Sequence, residues 1–367
     1  IAKGIKLKQY VGIIQIDGLT IEVLPKVDRN KDEDQDTWRE VLIQMLKATG
    51  RMKVQTTGHA NVQRQHMNLL EIYFEMYLKE LQYLIRSGLI KKYRKETSNV
   101  KALKGKLEFA GNIRKNLVHK ERFFTTHQVY DVDHKIHQVL NVALDIVHQF
   151  TKGTSLNDTC RRVQLDFPGV KKISVNEQTL SSIKLDRKTV SYEKALEVAR
   201  LIILNYSPDI KSGREKMLSL LFDMNVLWEE YVLTMLRKEC KGTDIKIKGQ
   251  EVRRFWGSYK TMRPDIVIQK GEETFIIDTK WKRPKNNQPS VEDLRQMYTY
   301  SRFWDTEKVM LLYPGDPVEA KFISYRNKEI DQRDHQCKVG FVSVLNEEKR
   351  LHRGIGKTVL NHLSISV

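Results

Sequence analysis

RPDIVIQKGEETFIIDTKWK, residues 263–282, is the stretch that decides the fold class of this chain. Two runs rich in Ile, Val and Phe flank a glycine, a pattern that predicts two strands joined by a tight turn. A glycine in the first turn position suits a two-residue type II′ turn, here Gly271-Glu272. That register places Asp265 directly opposite Asp278, and strand alternation puts Lys280 on the same face as Asp278.

Charged side chains in such an apolar hairpin are unfavourable unless something pairs with them. Directly opposed side chains lie roughly 5 Å apart, so two facing carboxylates destabilise the sheet. A hard divalent cation such as Mg²⁺, bound through the oxygens of Asp265 and Asp278, would remove this conflict. Lys280 could orient or deprotonate a water, or offset the charge of a phosphate. Together these residues suit phosphodiester hydrolysis, whereas the alternative is a surface hairpin with a Lys–Asp pair.

Two neighbouring helices supply further candidates. Glu229 shares an apolar helical stripe with Val226, Val232, Leu233 and Leu236, whereas Glu230 lies on the polar side, so Glu229 is the predicted third acid. A helix-edge glutamate is the alternative. Gln296 and Tyr300 are spaced i, i+4 in the helix after the hairpin and could both reach the site, although a tyrosine there is more often core.

The chain is strongly basic, and part of this charge lies around the hairpin. The formal net charge is +18 over 367 residues, which favours a polyanionic partner such as nucleic acid. Cations close to the predicted site are candidate DNA-backbone ligands: Arg253, Arg254, Lys260, Arg263, Lys282, Arg283 and Lys285. A solvated basic surface is the default interpretation of such clusters.

The order of elements predicts an α/β chain of two domains. Residues 211–367 run helix, strands, helix, strands, which predicts a mixed sheet flanked by helices. Residues 1–210 predict an α+β domain, with a hairpin at Asp17-Gly18, and the Pro-, Gly- and Ser-containing stretch 207–216 is the preferred boundary. Within the second domain, Ser290 is the predicted N-cap of the helix that carries Gln296.

Composition excludes several other classes. The three cysteines are far apart and favour neither a disulfide framework nor a zinc site. His134 and His137 are spaced for one helix face and could hold a metal, although no further ligand completes the pattern. Without an apolar run of membrane-spanning length, we expect a cytoplasmic protein.

The motif residues resemble a known family. Pro264-Asp265 followed by Asp278-Thr279-Lys280 is similar to the PD-(D/E)xK nuclease motif, and Gln296 to Tyr300 resembles the Q-x-x-x-Y element of its RecB-like branch. The blocks YVGIIQIDGLTIEVLPKV, LKGKLEF, YDVDHKIHQVLNVAL and FDMNVLWEEYV stand in the order seen in the McrC family, the nuclease subunits of the McrBC 5-methylcytosine restriction system. One departure is His137, where the family pattern has Asn.

The resemblance implies roles for these residues. Asp265, Asp278 and the backbone carbonyl of Thr279 would ligate Mg²⁺ or Mn²⁺, Lys280 would be the catalytic lysine, and Glu229 would match the helix acid. The C-terminal domain would be a restriction-endonuclease-like PD-(D/E)xK domain.

The resemblance also implies partners. They would be DNA with modified cytosine and a hexameric AAA+ GTPase related to McrB, which residues 1–210 would bind and stimulate. The chain has no Walker A motif, so we expect no nucleotide bound by the chain itself. Two alternatives stay open: an adaptor that activates the GTPase without cutting, and a free-standing RecB-like nuclease.

Overall fold

The structure is a computed structural model that describes residues 9–16, 19–25, 35–52, 67–207, 216–326 and 333–366. The predicted turn at Asp17-Gly18 and most of the predicted boundary at 207–216 lie outside these residues.

The described residues form both strands and helices. The strands are β1 Tyr10–Ile16, β2 Leu19–Val23, β3 Lys92–Val100, β4 Lys106–Leu107, β5 Phe123–Asp131, β6 Tyr206–Ser207, β7 Met217–Asp223, β8 Lys246–Gly249, β9 Arg253–Trp256, β10 Lys260–Met262, β11 Ile266–Lys270, β12 Glu273–Thr279, β13 Lys308–Pro314, β14 Ile323–Ser324 and β15 Gln336–Val342. The α-helices are α1 Gln35–Ala48, α2 Leu69–Arg86, α3 Phe109–Asn116, α4 Lys135–Phe150, α5 Asn157–Asp166, α6 Glu177–Ser181, α7 Glu193–Leu204, α8 Met224–Glu239, α9 Val291–Phe303 and α10 Ile355–His362. Within these ranges, every helix is too short or too polar to cross a bilayer.

The chain divides into two compact units. The first unit contains residues 1–13, 21–61 and 221–367, and the second contains residues 14–20 and 62–220. The N-terminal segments thus group with the C-terminal residues, which differs from a single boundary near residue 210. The assignment of residues 1–210 to docking and of 211–367 to catalysis stays a prediction.

The first unit is built on a six-stranded mixed sheet with the order β14-β15-β13-β12-β11-β8. Strands β12, β13 and β15 run parallel, while β11, β8 and β14 are antiparallel to their neighbours. The predicted hairpin is confirmed: Ile266 pairs with Ile277 and Lys270 pairs with Glu273, so Gly271-Glu272 is the turn. Gly271 has a φ of 57°, as the first position of a type II′ turn requires.

Helix α9 covers one face of this sheet. It packs on β12, β13 and β15, and Met297, Tyr300 and Trp304 enter a core formed with Val309 and Leu311. Ser290 caps the helix as predicted, because its Oγ accepts the backbone N–H of Asp293 at 3.1 Å. Gln296 of the same helix faces β12, because its Nε2 donates to Asp278.

Helix α8 packs against α1, α10, β8 and β12. Its Asn225 Oδ1 accepts the backbone N–H of Trp281 at 3.2 Å, and the rings of Trp228 and Trp281 lie 5.3 Å apart. These contacts hold the helix against the end of β12, the strand that carries Asp278.

The second unit contains an antiparallel sheet of order β3-β5-β4 together with helices α2 to α7. His137 is fully buried at the start of α4, where its Nδ1 lies 2.7 Å from the carbonyl of Val132 and its Nε2 lies 3.0 Å from the hydroxyl of Tyr192. The ring of His134 lies 4.1 Å from that of His137. The two histidines therefore share one buried cluster, and their neighbours are structural hydrogen-bond partners.

A four-stranded sheet of order β2-β1-β7-β6 completes the described strands, along with a two-stranded sheet of β9 and β10.

Candidate active site

Two aspartates meet at one end of the β11–β12 hairpin. Asp265 precedes β11, and its Oδ2 accepts hydrogen bonds from the backbone N–H of Thr279 at 2.6 Å and from the Thr279 hydroxyl at 2.9 Å. Asp278 is the next-to-last residue of β12 and is 2% exposed. The hairpin register therefore brings the two acids together as the sequence predicts. The orientation of the Thr279 carbonyl toward a cation stays a prediction.

Lys280 pairs with Asp278. Its Nζ lies 2.6 Å from Asp278 Oδ2 and donates to Gln296 Oε1 at 3.3 Å. Burial lowers the pKa of Lys280, but the carboxylates of Asp278 and Asp265 outweigh that effect and raise it above its usual range. The lysine is therefore a fixed cation at the acidic site.

Glu229 approaches the same site from α8. Its side chain is 8% exposed and its Oε1 accepts from Gln250 Nε2 at 2.8 Å. Burial first, then the charge of Asp265, raises the pKa of Glu229 to about 7. The structure thus places the predicted third acid where it interacts with both aspartates. Glu230 instead pairs with Arg51 at 2.6 Å on a more exposed part of the helix.

Gln296 and Tyr300 both reach the site, as their spacing predicts. Gln296 Nε2 donates to Asp278 Oδ1 at 3.2 Å and to the Tyr300 hydroxyl at 2.8 Å. The Tyr300 hydroxyl in turn donates to the carbonyl of Arg263 at 3.2 Å. This chain of hydrogen bonds orients Asp278 and Lys280 from α9 and ties the helix to the backbone just before Asp265.

The acids destabilise one another's charged forms. Burial, followed by the charge of Asp265, raises the pKa of Asp278, and burial also raises the pKa of Asp265 despite its two hydrogen bonds from Thr279. Three carboxylates with raised pKa values in one place are unfavourable in a structural site and common where chemistry is performed.

The carboxylate oxygens of the site fit a hard divalent cation. Carboxylate oxygens are the ligands that Mg²⁺ and Mn²⁺ prefer, and a cation here would relieve the repulsion between Asp265 and Asp278. Within the described ranges, however, no group of three or more His, Cys, Asp or Glu side chains is close enough together to hold a metal ion. Asp265 and Asp278 are the two residues that the sequence predicts as ligands.

The predicted DNA-binding cations occupy three places. Arg253, Arg254 and Lys260 belong to the hairpin β9–β10, Arg263 directly precedes the acidic site, and Lys282, Arg283 and Lys285 follow β12. Arg253 and Lys282 make strong contacts within the protein. The Arg253 guanidinium donates to the carbonyl of Phe303 at 2.6 Å and stacks over Trp304, and Lys282 pairs with Asp293 at 2.7 Å.

Gln250 belongs to the site and is not among the sequence-predicted residues. Besides its bond to Glu229, its backbone N–H donates to the carbonyl of Asp265 at 2.9 Å, and its φ is 52°. A non-glycine residue in the left-handed region is uncommon and is often held there by function. Nothing in the local sequence KIKGQE indicates this role, because the position of Gln250 depends on the pairing of β8 with β11.

The fold and these residues define a mixed α/β protein with a buried acidic site that contains a lysine. The chain belongs to the family described as "McrBC 5-methylcytosine restriction system component", which matches residues 5–314.

One curated relative is the type IV methyl-directed restriction enzyme EcoKMcrBC of Escherichia coli strain K12. It is 22% identical over 224 residues, which cover 58% of this chain and 64% of that protein. The match therefore spans less than two thirds of the relative's length.

Among the solved structures that resemble the chain are two from Thermococcus gammatolerans. One is the refined half-complex from the tetradecameric assembly of Thermococcus gammatolerans McrB AAA+ hexamers with bound McrC, with a TM-score of 0.69 and 20% identity, covering 97% of this chain and 83% of that chain. The other is the McrBC complex of the same organism, with a TM-score of 0.48, 22% identity, and coverage of 63% of this chain and 66% of that chain. The first of these likenesses extends over nearly the whole fold.

Proposed function

We propose that this chain is the DNA-cutting subunit of a modified-cytosine restriction complex, a Mg²⁺- or Mn²⁺-dependent phosphodiester hydrolase of the PD-(D/E)xK type. The observation that carries the proposal is the buried pairing of Asp278 with Lys280, opposite Asp265 at the end of one hairpin. Membership of the McrBC family agrees with it.

Each residue at the site has a distinct part in this proposal. Asp265 and Asp278 would hold the cation, which supplies Lewis acidity toward the phosphate and an activated water. The Lys280 ammonium, kept protonated by the acids, offsets negative charge that develops on the phosphate. Gln296 fixes both Lys280 and Asp278, so that the lysine points at one position rather than sampling several rotamers.

Glu229 has a role that its pKa suggests. Burial and the charge of Asp265 raise the pKa of the Glu229 carboxyl to about 7 in the metal-free protein, so this group can take up or release a proton near neutral pH. We assign Glu229 to handling a proton of the attacking water or of the leaving oxygen, with Gln250 fixing its orientation.

Cleavage of DNA that contains 5-methylcytosine tests this proposal. The chain is combined with a McrB-like partner and GTP, and the Asp265→Asn and Lys280→Ala variants are compared with wild type. We expect Mg²⁺-dependent cleavage by the wild type and at least about a hundredfold loss in each variant. Asp244→Asn, at an exposed position of the same unit, is the matched control and should cut normally. Undiminished cleavage by Asp265→Asn would show that the site is wrongly placed.

We also propose that the chain docks on a McrB-like AAA+ GTPase hexamer and stimulates it. The structural neighbour from Thermococcus gammatolerans is a McrC bound to McrB hexamers, which is the arrangement we extend to this chain. The absence of a Walker A motif from these 367 residues agrees with a motor that is supplied by a partner.

Helix α3 of the second unit has the surface expected of a docking element. Two of its asparagines face the sheet: Asn112 Oδ1 accepts the N–H of Phe124 at 2.8 Å, and Asn116 bonds to Asn99 at 2.8 Å. The apolar side chains at four-residue spacing, Phe109, Ile113 and Leu117, are exposed instead. An exposed apolar stripe of this kind is typical of a protein-binding surface.

Substitution of this stripe tests the docking proposal separately from catalysis. Ile113→Asp should weaken co-purification with the partner and reduce stimulation of its GTPase by about tenfold or more, because a charge at the centre of an apolar contact disfavours binding. Leu165→Asp, at an exposed leucine of α5, is the matched control. Equal GTPase stimulation by Ile113→Asp and wild type would refute the assignment of this surface.

The two alternative functions, a non-cutting adaptor and a free-standing nuclease, predict different outcomes in the same assays. A non-cutting adaptor would stimulate the GTPase without any cleavage. A free-standing nuclease would cut DNA with no motor subunit and no GTP present.

A further inference from the structure

The β9–β10 hairpin carries two exposed aromatic side chains next to its turn. Trp256 is 63% exposed and Tyr259 is 68% exposed, and their rings lie 5.9 Å apart edge to face. Gly257, with a φ of 59°, forms the turn between them. The two strands make a separate two-stranded sheet, so these rings are not needed to fill the core of the six-stranded sheet.

Trp256 differs from the other tryptophans of the chain in its exposure. Trp38, Trp228 and Trp304 are buried, and Trp281 is half-buried. Tryptophan buries a large apolar area when it can, so an exposed Trp–Tyr pair indicates a surface that meets a ligand.

The charge of the hairpin indicates what that ligand is. Residues 252–263 contain Arg253, Arg254, Lys260 and Arg263 and not one Asp or Glu. Arg253 is held by Phe303 and Trp304, whereas Arg254 and Lys260 are exposed. Aromatic side chains interleaved with cations match a nucleic acid, whose bases stack on rings while its phosphates pair with the cations.

The hairpin is fixed relative to the acidic site. Met262, the last residue of β10, packs against the core beneath α9, and the carbonyl of Arg263 accepts the Tyr300 hydroxyl. Burial raises the pKa values of Asp265 and Glu229, and Arg263 is close enough to both for its positive charge to offset part of that rise. A strand of DNA whose phosphate lies at the acids would therefore pass near the hairpin.

We propose that Trp256 and Tyr259 stack on nucleobases that are unstacked next to the phosphate being cut, while Arg254 and Lys260 contact the flanking phosphates. The inference rests on the proposed nuclease function, and it adds a substrate feature: the chain prefers DNA that is locally opened over fully paired duplex. A duplex keeps its bases stacked on each other and offers these rings no free base face. Opened DNA offers such a face on each unpaired base.

Binding to two matched DNA probes tests the proposal. The probes are one short duplex, fully paired, and the same duplex with a few central mismatches, each carrying a fluorescent label and mixed with the whole chain in a chelator that prevents cutting. We expect wild type to bind the mismatched probe at least about fivefold more tightly, as one base–aromatic stack provides. Trp256→Ala and Tyr259→Ala should each reduce that preference several-fold, and Trp256→Phe should retain most of it.

Further variants separate stacking from charge. Arg254→Gln and Lys260→Gln should weaken binding of both probes equally and make it less sensitive to salt. Tyr83→Ala, at an exposed tyrosine of α2, should bind like wild type. Tryptophan fluorescence gives a second readout, because Trp256 is the exposed fluorophore and its emission should be quenched by the mismatched probe.

Two results would overturn the proposal: equal affinity of wild type for the two probes, or an unchanged preference in Trp256→Ala. If the hairpin binds a protein partner rather than DNA, the wild type will bind the two probes with equal affinity. The nuclease proposal fails on a different observation, normal cleavage by Asp265→Asn, so the two failures are distinguishable.

Discussion

Replacement of Glu229 by glutamine should stabilise the metal-free protein at alkaline pH. The carboxylate is 8% exposed and is bonded to Gln250, and its ionised form is disfavoured by burial and by Asp265. Glutamine is nearly the same shape, keeps an oxygen that accepts from Gln250 Nε2, and carries no charge. The variant should therefore remove repulsion without opening a cavity.

The pKa of Glu229 sets the magnitude and the pH range. It rises from 4.5 to about 7 on folding, and each unit corresponds to roughly 1.4 kcal/mol, so the full effect is about 3 kcal/mol. Because the pKa is higher in the folded protein, ionised Glu229 destabilises the fold. This destabilisation is absent at low pH, grows as the pH rises from about 4.5, and is complete above about pH 7. Relaxation of the site would reduce the gain to about 1–3 kcal/mol.

Urea denaturation in a chelator, at about pH 4.5 and about pH 8, measures this difference. We expect Glu229→Gln to match wild type at the lower pH and to exceed it at the higher pH. Glu230→Gln, one residue away, loses an exposed pair with Arg51 and should reduce the free energy of unfolding by less than about 1 kcal/mol. A Glu229→Gln variant that is less stable than wild type at about pH 8 would refute the reasoning.

Three other substitutions have expected outcomes. Gln296→Ala should lower kcat for DNA cleavage by roughly 10- to 100-fold with little change in KM, because the side chains of Lys280 and Asp278 lose their hydrogen bonds to Gln296. Single-turnover and steady-state kinetics measure both constants, and an unchanged kcat would contradict this prediction. Burial lowers the pKa of His137 from 6.5 to about 4, so the wild type should lose stability as the pH falls from about 6.5 to about 4. Melting curves should show that this loss of stability is absent from His137→Asn. Parallel pH profiles of the melting temperature in the two proteins would disprove the prediction. Gly356→Ala should reduce the free energy of unfolding, measured in urea, by about 1–3 kcal/mol, since a Cβ at this position of α10 would lie 2.6 Å from the carbonyl oxygen of Met235 in α8. An equally stable variant would show that α8 and α10 move apart at no cost.

The acidic hairpin is the part of the site that local sequence determines. Strand alternation and a glycine turn fix the register, and the register alone places Asp265 beside Asp278. The face of α9 follows in the same way from the cap at Ser290 and the i, i+4 spacing of Gln296 and Tyr300. Both features are periodic, so a short stretch of sequence contains the information.

Other contacts depend on residues distant in the sequence. Gln250 reaches Glu229 because β8 pairs with β11, and Arg253 is held by Trp304, which follows it by fifty-one positions. Asp133 stands just before α4 but does not cap it, because the helix begins after His134 and Asp133 accepts hydrogen bonds from Gln138 and Lys171. Such partners are selected by tertiary packing, which the local pattern does not encode.

The division into two units is also set by contacts between residues that are distant in the sequence. Composition favours a boundary near residue 210, whereas segments 1–13 and 21–61 belong to the unit that carries the acids. Helix α1 packs against α8 across a separation of nearly two hundred residues, and such a pairing leaves no local signature.

The most direct test of the proposed nuclease measures cleavage and GTPase stimulation in one reconstituted preparation. Asp278→Asn is compared with wild type and with the exposed control Asp244→Asn, using methylated DNA, Mg²⁺, GTP and the McrB-like partner. We predict that Asp278→Asn stimulates the GTPase as wild type does and cuts no DNA, because the change removes one acid and leaves the surface of the second unit intact. Cleavage by Asp278→Asn at the wild-type rate would contradict the assignment of the buried acids and Lys280 as the catalytic site.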